Sequence, residues 1–269
     1  MLRAFHTFIV AIATTLALAA PAGLFAQDIA AADHKGAVEE ADARPVVALM
    51  GTIPIYWGEA AGFDELLSGG TPAHWAREVL ERSVKLAPLD YLSQSSLAQY
   101  HYLLLAQPRG LSAEENVALD SWVRDGGKLV MFTDPMMTGE SRFHVGDRRR
   151  PQDVALLSPI LGHWGLELRY DTAQQDGLHM RQVADQPYPV NQAGELAEAE
   201  GGNRTCSLEN EGLFARCNIG DGSALIVADA ALLDLEGPHI GGETSLMRII
   251  AQGLGILRED SGPEEEFQP

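Results

Sequence analysis

Residues that could bind or act on a ligand follow two apolar runs of the chain. Residues 52–63 (TIPIYWGEAAGF) come after the run at 45–50, and Asp134 closes the run at 128–133. In open α/β sheets, ligands bind outside the carboxyl ends of the strands. The side chains with suitable chemistry in the first loop are Thr52, Tyr56, Trp57 and Glu59. Alternatively, the two aromatic rings cover the edge of the core, and Asp134 caps the following turn.

The same residues limit which reactions are available. Asp134 could act as a hydrolase base if the fold brings a histidine near it. We expect an ionised Asp134 that accepts backbone N–H groups. Thr133 has a hydroxyl but no sequence motif supplies it with a base, and no Gly-x-Ser-x-Gly motif is present. The sequence therefore predicts no catalytic residue, and enzyme activity stays an open question.

The histidines carry no metal signature. They are scattered and form no His-x-x-x-His or His-Glu pair. We predict no metal site and no cofactor. Arg148, Arg149 and Arg150 form the one basic run, which is either a solvated loop or a contact for an anion or a partner.

Composition excludes some partners. The chain has 269 residues, with 38 Asp and Glu against 19 Lys and Arg, and a formal net charge of −19. Nucleic-acid binding requires a basic surface, and an anionic membrane repels such a chain. Because 46% of the residues are hydrophobic, the chain can bury a sizeable core.

Both ends differ from the rest of the chain. Residues 1–26 place Arg3 before an apolar run and then small residues, which is typical of a signal peptide cleaved near Ala26. The alternatives are cleavage at Ala22 and an uncleaved membrane anchor. Residues 27–44 read as a linker and 259–269 as an acidic, disordered tail. We therefore expect an exported, periplasmic, soluble protein.

Two cysteines, Cys206 and Cys217, flank a predicted hairpin with its turn at 209–212. In an exported protein such a pair indicates a disulfide bond. A redox role is disfavoured because the Cys-x-x-Cys spacing is absent. We predict a structural disulfide.

Strand and helix patterns alternate over 45–258. Predicted strands lie at 45–50, 85–89, 100–106, 128–133, 166–170 and 223–228, and predicted helices at 71–83, 112–125, 154–163 and 243–257. Thr71, followed by Pro72, is the predicted N-cap of the first helix. Ser112 and Glu115 form a capping box at the start of the second helix. The alternation predicts a flavodoxin-like α/β fold: an open, mostly parallel sheet with helices on both faces and a small antiparallel β insertion at 171–222.

Residues 100–135 (YHYLLLAQPRGLSAEENVALDSWVRDGGKLVMFTDP) resemble a segment of the gliding-motility and ABC-transporter auxiliary proteins and their intraflagellar-transport-like relatives. Residues 220–233 (GDGSALIVADAALL) are similar to a strand-plus-Asp element near the end of those proteins. The resemblance is absent over 171–219.

This resemblance implies membership of the class I glutamine-amidotransferase-like superfamily. In catalytic members a cysteine nucleophile occupies the turn that reads Thr133-Asp134-Pro135 here, so the catalytic Cys is absent. The implied function is an exported, non-catalytic binding or accessory domain of an envelope transport or assembly system. Its partner would be an envelope protein, such as a transporter component, with membrane contact only through that partner or an uncleaved signal. The alternative is a periplasmic hydrolase that uses Asp134 and a nearby histidine.

Overall fold

A computed structural model describes residues 43–60, 62–201, 205–234 and 236–256. The chain divides into residues 1–42 and 43–269, and all described residues belong to the second unit. The predicted signal peptide, the linker up to residue 42 and the acidic tail lie outside the described residues and stay predictions.

Eleven strands are present among the described residues. They are β1 (Val46–Gly51), β2 (Lys85–Pro88), β3 (Tyr102–Ala106), β4 (Lys128–Phe132), β5 (Leu166–Tyr170), β6 (His179–Val183), β7 (Gln186–Val190), β8 (Gly194–Glu198), β9 (Cys206–Glu209), β10 (Phe214–Ile219) and β11 (Gly222–Val227).

Seven of these strands form the central sheet, in the order β2-β1-β3-β4-β11-β10-β9. The first five are parallel, and β10 and β9 continue the sheet antiparallel. The parallel strands are nearly continuous apolar runs because both faces of this sheet are covered. Leu103 and Leu105 pack on one face, and Leu104 and Ala106 on the other.

Helices cover both faces. They are α1 (Phe63–Ser68), α2 (Trp75–Glu81), α3 (Gln94–Leu97), α4 (Ala113–Arg124), α5 (Ser158–His163) and α6 (Gly242–Leu254), with a 3-10 turn at Ala231–Leu233. The helices α2 and α6 contribute to the core on one face, and α4 and α5 to the core on the other. The predicted fold class is confirmed. No helix among the described residues combines the length and apolar character needed to cross a bilayer.

The start of α4 follows the predicted capping box. The Ser112 hydroxyl accepts from the Glu115 N–H at 3.2 Å, and the Glu115 carboxylate accepts from the Ser112 N–H at 2.9 Å. Glu115 also accepts from the Leu92 N–H at 3.2 Å. Both terminal nitrogens of Arg109 donate to its carboxylate, each at 2.8 Å. Burial alone would raise the pKa of Glu115, but these donors outweigh it and lower the pKa to about 2.

Two predicted helices begin later than expected. The helix predicted from 71 begins at Trp75, because His74 and not Thr71 is its N-cap: the Ala76 N–H donates to His74 Nδ1 at 3.1 Å. The helix predicted from 154 begins at Ser158. The preceding residues form a loop in which the Ala155 N–H donates to the carbonyl of Asp134 at 2.8 Å.

The region predicted as an insertion, 171–222, is divided between three sheets. Strands β6 and β7 pair only with each other, β8 pairs with β5, and the β9–β10 hairpin joins the central sheet beside β11. Its cysteines lie directly opposite each other in the ladder and are bonded, Cys206 to Cys217. The predicted disulfide is confirmed.

Candidate functional site

Four parallel strands, β1, β3, β4 and β11, end at the same edge of the sheet. The register pairs Ala106 with Phe132 and Phe132 with Val227, so the residues after β4 and β11 lie side by side. This edge therefore holds Asp134 together with Asp229, a residue that the sequence analysis did not select. The signal for Asp229 was present, since an aspartate also follows the apolar strand β11 directly.

Asp134 is 1% exposed and fully used in hydrogen bonds. Its Oδ1 accepts from the Met136 N–H at 2.8 Å and its Oδ2 from the Ala230 N–H at 3.0 Å. Burial raises the pKa of Asp134 to about 7, against the lowering effect of these two donors. With this pKa, Asp134 is only partly ionised at neutral pH, which differs from the expected ionised carboxylate because burial outweighs the hydrogen bonds. The expected turn bond is present.

Asp229 is completely buried beside Asp134. It accepts from the Asn191 N–H at 2.9 Å and the Ala231 N–H at 2.6 Å. Burial, and then the nearby Asp134, raise the pKa of Asp229 well above its ordinary value. Tyr188 is buried in the same region, and burial and Asp229 raise the pKa of its hydroxyl. Asp134 and Asp229 thus form a buried pair of acidic side chains, with the Tyr188 hydroxyl near them.

Gln107 connects this pair to the loop after β1. It is completely buried, and its backbone has a φ of +49°. Its amide oxygen accepts from the Asp134 N–H at 2.8 Å, and its amide nitrogen donates to the carbonyls of Asp134 and Gln152, each at 2.9 Å. The Thr52 hydroxyl donates to the Gln107 carbonyl at 2.5 Å and accepts from the Gln152 N–H at 2.9 Å. Thr52 and Asp134 thus share one network, which leaves the Thr52 hydroxyl engaged within the protein.

The charged residue of the loop, Glu59, binds a different element. It accepts from the Ser141 hydroxyl and from the Arg142 N–H, the latter at 2.9 Å. Arg142 also pairs with Glu65 of α1 at 3.1 Å. These contacts connect the loop after β1 to the loop after β4.

Of the two aromatic residues in the loop, Tyr56 packs against Arg77 and Trp57 is exposed. The Arg77 guanidinium lies 4.1 Å from the centre of the Tyr56 ring and donates to the Tyr56 carbonyl at 2.7 Å. Trp57 contacts Tyr56 edge-to-face and is 56% exposed. Beside them lies a cleft of about 250 Å³, lined by Gly58, Glu59, Thr71, Pro72, Ala73, His74 and Arg142.

Neither histidine at this edge is positioned to work with Asp134. His74 is 5% exposed; its Nε2 donates to the Leu233 carbonyl at 3.1 Å while Nδ1 accepts from the backbone. Burial lowers the pKa of His74 to about 4. His239 is 3.1 Å from Asp234 instead. Over the described ranges, no group of three or more His, Cys, Asp or Glu side chains is arranged to hold a metal ion.

Thr133 is the first residue after β4. It is completely buried, and its hydroxyl has no hydrogen-bond partner among the residues that the structure describes. A hydroxyl acts as a nucleophile with an adjacent base, and no described side chain is hydrogen-bonded to this one. The edge therefore has the chemistry of a hydrogen-bonded junction between loops.

A family model described as "ABC-type uncharacterized transport system" matches residues 45–195, more than half of the chain. The expectation that the resemblance is absent over 171–219 is therefore wrong for residues 171–195, which the family match includes. No curated protein matches the chain significantly. Solved structures similar to it include the exo-beta-1,4-mannosidase Op5Man5 from Opitutaceae bacterium strain TAV5 (16% identity, TM-score 0.44, covering 81% of this chain and 37% of the mannosidase).

Two further similar structures are the mmIFT52 N-terminal domain (13% identity, TM-score 0.47, covering 80% of this chain and 99% of that domain) and the cytoplasmic protein STM1381 from Salmonella typhimurium LT2 (12% identity, TM-score 0.39, 80% and 100%). The chain spans about a third of the length of the mannosidase.

Proposed function

Because the chain belongs to the family described as ABC-type uncharacterized transport system, we propose that it is an exported, non-catalytic accessory domain of such a system. Its direct partner would be an envelope protein, most simply a transporter component. The domain would extend over residues 45–258, preceded by a cleaved signal peptide and a linker and followed by the acidic tail.

The observation that carries the non-catalytic part of this proposal is the state of Asp134. A catalytic carboxyl group must reach a substrate within hydrogen-bond distance. Asp134 is buried and both of its oxygens accept backbone N–H groups, so its bonds are already used in holding two loops together. The same description applies to Asp229.

Other features support a superfamily relationship and export. The α/β sheet with Thr133-Asp134-Pro135 after β4 fits a glutamine-amidotransferase-like domain that has lost its nucleophile. The bonded cysteines support an oxidising compartment, which for this chain would be the periplasm. The large negative charge of the chain supports neither a nucleic-acid partner nor direct binding to an anionic membrane.

The loop at 52–63 stays the proposed ligand- or partner-binding element, and within it the residues that could contact a ligand directly are Trp57 and Glu59. Trp57 offers its ring to solvent, and Glu59 lines the adjoining cleft. Thr52, Tyr56 and Asp134 would act indirectly, by fixing the loop that presents Trp57.

A co-purification experiment tests this function. The full chain with an affinity tag would be isolated from envelope extract in mild detergent, with an unrelated exported, disulfide-bonded protein as control. We expect ABC transporter subunits to be enriched at least tenfold over the control. Absence of any transporter subunit would contradict the proposal.

One observation favours the hydrolase alternative: an Asp134 pKa of about 7 would suit a general acid or base. No described histidine is hydrogen-bonded to this carboxyl group, however, since His239 pairs with Asp234. Assays with ester, amide and glycoside substrates, run on the native protein and on Asp134→Asn, would decide. A turnover that Asp134→Asn abolishes at unchanged melting temperature would replace the accessory function by the hydrolase.

A further inference from the structure

A groove lies between α3 and α4, far along the chain from the loop at 52–63. Two clefts of about 650 and 290 Å³ share the lining residues Gln94, Ala118 and Ser121, and so form one continuous groove, the α3–α4 groove. None of the contacts that hold the carboxyl edge together involves these three residues.

The floor of the α3–α4 groove consists of small side chains beside a tightly packed indole ring. Ala118 and Ser121 are small enough to allow another backbone to approach closely. The Trp122 indole donates to the Tyr100 carbonyl at 3.0 Å and lies against Gly127, where a Cβ atom would come within 2.5 Å of the ring. The floor is therefore preformed, which lowers the entropy cost of binding.

Exposed apolar groups form its wall. Val117 is 71% exposed although it lies in the middle of α4, and Tyr91 is 43% exposed. A helix residue of this size normally faces the core, and exposed apolar surface rimmed by polar groups marks binding sites.

Each end of the groove carries a carboxylate. Glu114 lies at the start of α4, where its carboxylate accepts from the Tyr91 hydroxyl at 3.1 Å, and Asp125 lies just after the end of α4; both are exposed. Eleven residues at 1.5 Å each place them about 16 Å apart along the helix. Among the described residues that line the groove, none is a lysine or arginine. The neighbouring Arg124 pairs with Asp120 at 2.7 Å. The groove therefore complements an apolar surface with a positive charge at each end.

We propose that the α3–α4 groove binds an amphipathic helix of a partner protein, with a basic residue at each end of an apolar stripe. This inference deepens the proposed function and rests on it for the kind of partner. On a helix, positions i and i+11 fall on the same face, about three turns apart. The partner would thus carry Lys or Arg at i and i+11, with apolar residues at i+4 and i+7 facing Val117, Ala118 and Ser121.

The acidic tail of this chain does not fit the groove. Residues 259–269 (EDSGPEEEFQP) contain five carboxylates and no cation, so the two carboxylates of the groove would repel them. A basic, apolar helix from another protein meets both requirements.

Site-specific photo-crosslinking in the native cells tests this inference. A photoreactive amino acid replaces Val117 in the full chain, or Val145, which is 76% exposed in the loop after β4, as the control. After irradiation, the crosslinked peptides are sequenced by mass spectrometry. We expect position 117, and not 145, to capture a peptide of another protein with the basic–apolar–basic pattern.

A charge-reversal pair supplies the specificity control. Glu114→Lys with Asp125→Lys should reduce the adduct at position 117 at least tenfold. Glu140→Lys with Glu195→Lys makes the same change in net charge at exposed positions outside the groove and should leave the adduct unchanged. Circular dichroism and melting temperature would establish that all variants fold.

Several outcomes would overturn the inference. They are no adduct at 117 above the level at 145, an adduct within the chain or with a second copy, and an adduct that is insensitive to reversal at Glu114 and Asp125. The proposed function is judged separately. Transporter enrichment without an adduct at 117 rejects the groove alone, and a helix captured from a protein outside any transporter rejects the transport function alone.

Discussion

At Asp134, burial and hydrogen bonding act in opposite directions on a single carboxyl group, and burial is stronger. The pKa of Asp134 is about 7 in the folded protein and near the ordinary 3.8 in the unfolded chain. Between pH 3.8 and pH 7, Asp134 therefore binds more protons in the folded protein than in the unfolded chain. The contribution of Asp134 to stability is therefore present at low pH and is lost as the pH rises from about 4 to 7.

Asp134→Asn removes this titrating group, so the difference in stability between the native protein and the variant reports the contribution of Asp134. We expect the free energy of unfolding of the native protein, relative to Asp134→Asn, to fall by on the order of 2 kcal/mol between pH 5 and pH 8. The measurement is urea denaturation at several pH values. The comparison is necessary because His74, with its pKa lowered to about 4, destabilises the fold as the pH falls. That contribution is common to both proteins. A difference that does not vary with pH would show that Asp134 does not titrate in this range.

The disulfide allows a second test at the residue scale. Cys206 and Cys217 close a short loop between directly paired strand positions. We expect thiol titration of the unfolded, unreduced protein to find no reactive thiol, and reduction to cost roughly 3 kcal/mol of stability. Two titratable thiols in protein purified from the cell envelope would contradict both the bond and the oxidising compartment.

At the scale of the elements, Glu115 joins more chain segments than its position in a helix indicates. It satisfies two backbone N–H groups and Arg109 while only 1% of its side chain is exposed. Glu115→Ala should therefore cost about 2–4 kcal/mol, because it leaves those donors without acceptors. Ser112→Ala removes the hydroxyl that accepts from the Glu115 N–H and contacts the Tyr91 hydroxyl, and it should cost about 1 kcal/mol. Chemical denaturation gives both values. Equal losses would mean that Glu115 acts as an ordinary cap residue.

The starts of α4 and α2 show why one helix boundary could be predicted from the sequence and the other could not. The start of α4 depends on Ser112 and Glu115, which are three residues apart, so a local pattern is sufficient. The start of α2 depends on His74, whose ring bonds to Leu233, a contact 159 residues away. Such a contact leaves no pattern in the sequence around residue 74. The local sequence therefore favoured Thr71 over His74 as the N-cap of α2.

The same difference applies to the candidate site. The sequence correctly placed Asp134 at the end of a strand and predicted its bond to the following turn. Gln107 and Asp229 were missed, because their roles depend on which strands are neighbours. Only the adjacency of β3, β4 and β11 makes a polar residue after each of them part of one network.

For the molecule as a whole, the proposal of export leads to a defined mature protein. Removal of residues 1–26 deletes a single cation, Arg3, and leaves Gln27 as the first residue. We expect amino-terminal sequencing of the exported protein to begin at Gln27. Recovery of an intact Met1 in the membrane fraction would instead support the uncleaved anchor.

The central sheet also has a consequence for biosynthesis. Strand β4 lies between β3 and β11, yet residues 133–221 separate β4 from β11 along the chain. Until β11 is available for pairing, β4 presents an unpaired apolar edge, and such edges invite aggregation. The segment that identifies the family, 45–195, ends before β11. A chain truncated at residue 195 should therefore be insoluble or rapidly proteolysed, although it contains the whole segment that matches the family model. The nascent protein would need protection at β4 until its last strand arrives.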